Sequence, residues 1–138
     1  MSPRSDGTHL RIVIADDHAP MRALLQDELE SAGMDVVGAA ADGCQAVELA
    51  ARERPDLCIL DVKMPRMSGL EAARRISAAV PEARILMVTV SPTDEDAAAS
   101  ADAGAHGYVG KDVEPGVLPA LAEALAAGET RFPDRAAG

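Results

Sequence analysis

The chain has 138 residues, 48% apolar and 26% charged, which suits one soluble domain whose core needs no disulfide or metal staple. Its formal net charge of −10 argues against nucleic acid as a direct partner of this segment and is compatible with divalent cations and basic proteins. Cys44 and Cys58 fit no metal-ligand spacing, and no apolar run approaches the roughly 18 residues of a membrane helix, so the chain reads as cytoplasmic with no membrane partner.

One Phe, one Tyr and no Trp leave an aliphatic, alanine-rich core. The polar opening MSPRSDGTH (1–9) reads as a loose tail, and LRIVIA (10–15) as a buried strand. Asp16, Asp17 and His18 follow. Pro20 suits a first helical turn, and Met21, Leu24, Leu25 and Leu29 recur at helical spacing up to Gly33. MDVVGAA (34–40) is a second strand. Asp42 caps a helix carrying Ala46, Val47, Leu49 and Ala50 that ends before Pro55.

In PDLCILDVKMP (55–65) an apolar run leads into Asp61 and forms the third strand. A buried, unpaired carboxylate costs several kcal/mol, so Asp61 is at the surface, paired, or kept for chemistry. Ser68 caps GLEAARRISAAV, which stops at Pro81; ARILMVT (83–89) is strand four; Ser91-Pro92 starts a helix running to about Ala103. HGYVG (106–110) is strand five, and a last helix begins near Pro115 and ends at Gly128.

Five strands too apolar to have a wet face, alternating with helices, predict a doubly wound α/β domain: a parallel sheet with helices on both faces and right-handed crossovers. Ligands of such sheets bind beyond the carboxyl ends of the strands. There strand one delivers Asp16 and Asp17, strand three Asp61, strand four Thr89 and strand five Lys111. Three converging carboxylates repel unless a cation joins them, and oxygen ligands without His or Cys point to Mg²⁺. Lys111 can grip a phosphoryl oxygen and Thr89 can donate its hydroxyl, which suits phosphoryl transfer onto Asp61. Singly, each residue has a plainer reading: Asp16 and Asp17 as helix caps, Asp61 as a turn residue, Thr89 as a strand end, Lys111 as a solvated lysine. All of these would have to hold together at four strand ends.

The motifs IVIADDH (12–18), DVKMPRMSGLEA (61–72), ILMVTVS (85–91) and GAHGYVGKD (104–112) resemble the receiver domain of bacterial two-component response regulators. The resemblance covers about residues 10–127 and implies a five-stranded sheet in the order 2-1-3-4-5, the flavodoxin-like receiver fold. It implies that Asp61 accepts phosphate from a sensor histidine kinase, and that Asp17 and Asp61 ligate Mg²⁺ with the backbone carbonyl of Lys63, Asp16 acting mainly through water. Lys111 would hold a phosphoryl oxygen, Thr89 would swing to another, and Tyr108 would change rotamer behind it. The surface of helix four, strand five and helix five would then change shape for a partner, with homodimerisation on phosphorylation.

The ADDH and GYVGKD motifs are similar to the NarL/LuxR-type transcription regulators, whose helix-turn-helix output half is not in this sequence. DNA would be bound only through such a domain, and residues 128–138 read as the start of the linker to it. Two departures stand out. Asp112 follows Lys111 where many receivers have proline, so no cis peptide is expected there. Helix four, TDEDAAASADA, offers only alanine as apolar surface, which predicts weak packing and a mobile role in the switch. His18 reads as a surface neighbour of the site and His106 as structural.

Two other functions compete. A Mg²⁺-dependent phosphohydrolase with an aspartyl nucleophile usually has a second acid two residues on, where this chain has Lys63. A stand-alone or degenerate receiver acting as an interaction module is the other.

Overall fold

The computed structural model describes residues 9–133. The expected N-terminal tail therefore lies almost wholly outside the described residues, as does the end of the expected linker. Ten elements alternate: β1 (Arg11–Ala15), α1 (Ala19–Ser31), β2 (Asp35–Ala40), α2 (Gly43–Glu53), β3 (Leu57–Asp61), α3 (Gly69–Ala79), β4 (Arg84–Thr89), α4 (Asp94–Asp102), β5 (Gly107–Gly110) and α5 (Val117–Ala126). The strands form one parallel sheet in the order β2-β1-β3-β4-β5. Both the doubly wound architecture and the strand order agree with expectation.

Alternation along the strands divides the core. Val13, Cys58, Leu60, Ile85 and Met87 face a cluster completed by α2, α3 and α4, whose buried side chains are mostly alanine: Ala46, Ala50, Ala72, Ala73 and Ala97, with Ile76. Ile12, Ile14, Leu57, Ile59 and Leu86 face the other cluster, where α1 and α5 supply Leu25, Leu29, Leu118 and Leu125. Every residue of β3 is buried, as a central strand covered on both faces requires. Burial pushes the Cys58 thiol up to about 12, so it is a small core residue and not a reactive one.

Local caps follow the sequence closely. The Asp42 carboxylate accepts the Gln45 amide N–H at 2.8 Å, and the Ser68 hydroxyl accepts that of Glu71 at 3.1 Å. Helix four starts later than Ser91-Pro92 suggests. Its cap is Thr93, whose hydroxyl accepts the Asp96 N–H at 3.0 Å, while the Ser91 amide bonds back to Thr89 Oγ1 at 3.3 Å and belongs to the preceding loop. Helix five likewise begins at Val117 behind Gly116, whose φ of 91° breaks the run from Pro115. No peptide bond is cis among the described residues.

His106 is structural, as expected. Its Nδ1 accepts the Ile85 N–H at 3.0 Å. Burial, helped by the nearby Arg84 charge, holds the imidazole below its ordinary value of 6.5. The folded state thus binds its proton less readily than the unfolded chain. The stability this group contributes is complete above about pH 6.5 and is lost as pH falls through the depressed folded value. Urea midpoints of wild type should therefore drop more steeply than those of His106→Asn on acidification below 6.5; parallel curves would refute the assignment.

Candidate phosphoryl and metal site

Register builds the site. Ala15 pairs with Leu60, so the next residues, Asp16 and Asp61, leave neighbouring strands at one level. Thr89 pairs with Gly110, and the Lys111 amide bonds to the Thr89 carbonyl at 2.8 Å, which brings the lysine over the same edge. Carboxylate oxygens of Asp16, Asp17 and Asp61 all lie within 4.8 Å of one another. Asp16 is fully buried, Asp61 is 7% exposed, and Asp17 is open to solvent.

The Lys111 ammonium lies 2.6 Å from Asp16 Oδ2 and 3.2 Å from Asp61 Oδ2. Only the contact to Asp61 has good hydrogen-bond alignment; Asp16 Oδ2, wholly buried, has no aligned donor. One ammonium against three carboxylates leaves a formal charge of −2 in the pocket. Burial raises the Asp61 pKa, with the Asp16 charge adding to it, and the Lys111 charge and hydrogen bond offset only part of the rise. For Lys111, burial alone would lower the pKa; its close contact to Asp16 and the two carboxylate charges together outweigh burial and raise the value. The pocket thus holds excess negative charge that its one lysine does not neutralise. A hard dication suits both that charge and the all-oxygen donor set.

Neither aspartate of the Asp16-Asp17 pair caps α1. The residue at its N-cap is His18, which makes no side-chain cap, while Asp16 Oδ1 accepts the His18 N–H at 2.9 Å. Thr89 stands buried at the end of β4 with its hydroxyl engaged by Ser91. Lys63 is exposed, and its amide makes a long 3.4 Å contact to Asp61 Oδ1. Tyr108 is buried one element away; its hydroxyl accepts the Thr93 N–H at 3.0 Å, tying β5 to the cap of α4.

Residues around this set escaped sequence reading. The loop after Asp61 is latched to α2: Arg66 reaches Asp42 Oδ2 at 2.9 Å, and the Gly43 N–H donates to the Met67 carbonyl at 3.1 Å. A Cβ at Gly43 would come within 2.3 Å of that carbonyl oxygen. The hydrogen bond from Gln45, followed by the Arg66 contact, holds the Asp42 carboxyl below the usual carboxylate range. Arg66 adopts a φ of 66°, which costs a non-glycine residue about 1 kcal/mol. Arg22 also donates to the Asp16 backbone carbonyl at 2.7 Å. An arginine in the loop and an aspartate already spent as a helix cap carry no periodic signal of their pairing.

An acidic pocket with one buried lysine, at the carboxyl edge of a 2-1-3-4-5 sheet, defines a receiver-type α/β domain. The chain belongs to the response regulator receiver domain family, whose model matches residues 12–123. It is similar to the nitrate/nitrite response regulator protein NarP of Escherichia coli K12, 38% identical over 131 residues, covering 94% of this chain and 61% of NarP. A LuxR-family two-component response regulator from Aurantimonas superposes with a TM-score of 0.85 at 34% identity, over 90% of this chain and 89% of that one. The signal receiver domain of NarL from Mycobacterium tuberculosis gives the same TM-score of 0.85 at 29% identity, over 88% and 98% of the two chains. The chain spans about 60% of the length of the curated relatives it matches. It is a receiver domain of the NarL/LuxR type of two-component response regulator, and no helix among its described residues is long and apolar enough to cross a membrane.

Proposed function

We propose that Asp61 is the phosphoacceptor of this receiver, taking its phosphoryl group from a phosphohistidine of a sensor histidine kinase. One Asp61 carboxylate oxygen forms the new bond to phosphorus as the bond from phosphorus to the imidazole nitrogen breaks. Supporting this is the Lys111 ammonium held between Asp16 and Asp61, 3.2 Å from the carboxylate that would be modified. Positioning and electrostatics are what phosphoryl transfer asks of a protein. Asp16, Asp17, Asp61 and the Lys63 carbonyl would hold Mg²⁺, which when bound supplies positive charge to the transferring phosphoryl oxygens. Lys111 and Thr89 hold those oxygens, and Tyr108 follows the movement of Thr89.

Lys63, exposed two residues after Asp61, stands where an aspartyl phosphohydrolase usually has a second carboxylic acid to protonate the leaving group. That favours a switch that catalyses only its own phosphorylation and slow hydrolysis, in the cytoplasm as is typical of response regulators. Homodimerisation and control of transcription through a separate DNA-binding domain complete the reading.

Incubation with a small phosphodonor and Mg²⁺ should load one hydroxylamine-labile phosphoryl group per chain. Mg²⁺ alone should stabilise the fold by about 1.4 kcal/mol at roughly ten times its Kd, as mass action requires. An unchanged melting curve up to millimolar Mg²⁺ would count against the metal site, and repeated turnover of the donor would favour a phosphohydrolase.

A further inference from the structure

The segment after α5 does not leave the domain at once. Gly128, at a φ of 105°, ends the helix in a full Schellman turn: its N–H donates to the Leu125 carbonyl at 3.0 Å and that of Glu129 to Ala124 at 3.0 Å. The Arg84 guanidinium locks the turn by donating to the carbonyls of Leu125 at 2.8 Å and Glu129 at 2.7 Å. The chain is thereby aimed back along the sheet. Arg131 pairs in parallel with Gly107, its N–H donating to the His106 carbonyl and its carbonyl accepting the Tyr108 N–H, both at 2.9 Å. Those are the outward-facing backbone groups of an edge strand, the groups that otherwise invite another chain.

Phe132, the only phenylalanine in the chain, is half-buried against the core beside Tyr108. With Pro133 it lines a cleft of about 130 Å³ whose other wall is Ala97, Ala98 and Ala101 of α4. The alanine surface of α4 is thus matched to a large side chain from outside the helix. Tyr108 touches both systems, since its amide binds the segment and its hydroxyl binds the α4 cap.

We propose that residues 129–133 form a strap seated on the β5 edge and the alanine face of α4, and that its seating is coupled through Tyr108 to the Asp61 pocket. The coupling rests on the phosphoacceptor reading above; the seat does not. When the Tyr108 side chain moves, the Thr93 bond breaks and the wall against which Phe132 packs is lost. The strap then detaches, and the freed His106 carbonyl and Tyr108 N–H are open to pairing. A phosphorylation state would in this way be transmitted to whatever follows residue 133.

The test is amide exchange by NMR on the full chain, free and with Mg²⁺ plus beryllofluoride as acyl-phosphate mimic, whose binding is followed by its own fluorine resonance. In the free protein the amides of Tyr108 and Arg131 should be protected, and Phe132→Ala should lower that protection roughly tenfold or more while Met87, inside β4, is unaffected. The mimic should produce the same loss in wild type. Free-chain exchange at Arg131 in the unliganded protein would overturn the seat. Bound mimic with undiminished Arg131 protection would overturn the coupling and leave the acceptor reading intact. Failure of the mimic to bind would overturn the acceptor reading and the coupling together.

Discussion

Asp61→Asn should take up no phosphoryl group from a small donor while remaining folded. The amide nitrogen and oxygen reproduce the carboxylate's shape, but the nucleophilic anion is gone. Without Mg²⁺ the variant should melt no lower than wild type, because burial and the Asp16 charge already disfavour the Asp61 carboxylate in the fold. With Mg²⁺ the order should reverse, since only the wild type has its full set of carboxylates to gain from the ion. The decisive measurements are label per chain and the Mg²⁺-induced shift in melting, made side by side. Label retained by the variant would refute the assignment of the acceptor, and a melting point well below wild type without metal would refute the electrostatic account.

Gly69→Ala should be the most damaging conservative change in the chain. A Cβ there would lie 1.9 Å from the Asp61 carbonyl oxygen and 3.0 Å from Met87 Cε. The first contact is with backbone, and no rotamer change can relieve it. The Gly69 N–H also donates to the Val62 carbonyl at 2.9 Å, so the start of α3 is held against the end of β3 from both directions. Retreat of α3 would open the core and shift the strand end that carries Asp61. Overpacking of this kind costs about 3 kcal/mol, and the Mg²⁺ response should weaken with it. Gly33→Ala is the control. That site has open space and a φ of 87°, so backbone strain alone should cost about 1 kcal/mol. Urea unfolding of the two variants separates the causes; equal losses would mean that close approach at Gly69 is not what matters.

These two residues also mark what could be read from sequence. Asp61 was legible because a continuous apolar run delivered it to a strand end, and strand ends of a parallel sheet share an edge. The same logic brought Asp16, Asp17 and Lys111 to the site, and single-residue caps at Asp42 and Ser68 were visible from local chemistry. Thr93 was harder, because Ser91, Pro92 and Thr93 are successive helix-start candidates and only the bond from Ser91 to Thr89 Oγ1 shows which are spent in the loop. The Arg66–Asp42 latch and the strap were not legible. Both join residues far apart in sequence, without periodicity, through contacts that exist only once the sheet has formed. The single phenylalanine in a chain nearly free of aromatics was the one available hint that residue 132 has a place to be.

The unequal halves of the core have a mechanical consequence. Alanine has no rotamers to rearrange, so a helix that meets the sheet through alanine, as α4 does at Ala97, can shift without re-seating a large side chain of its own. Leucine knobs hold α1 and α5 in fixed holes, and sliding there would mean re-seating each one. The two faces of the sheet are thus unequally held, one mainly by alanine contacts and the other by leucines. The acidic pocket lies at the carboxyl edge that both sides share, so a shift of α4 would not require the leucine side to move.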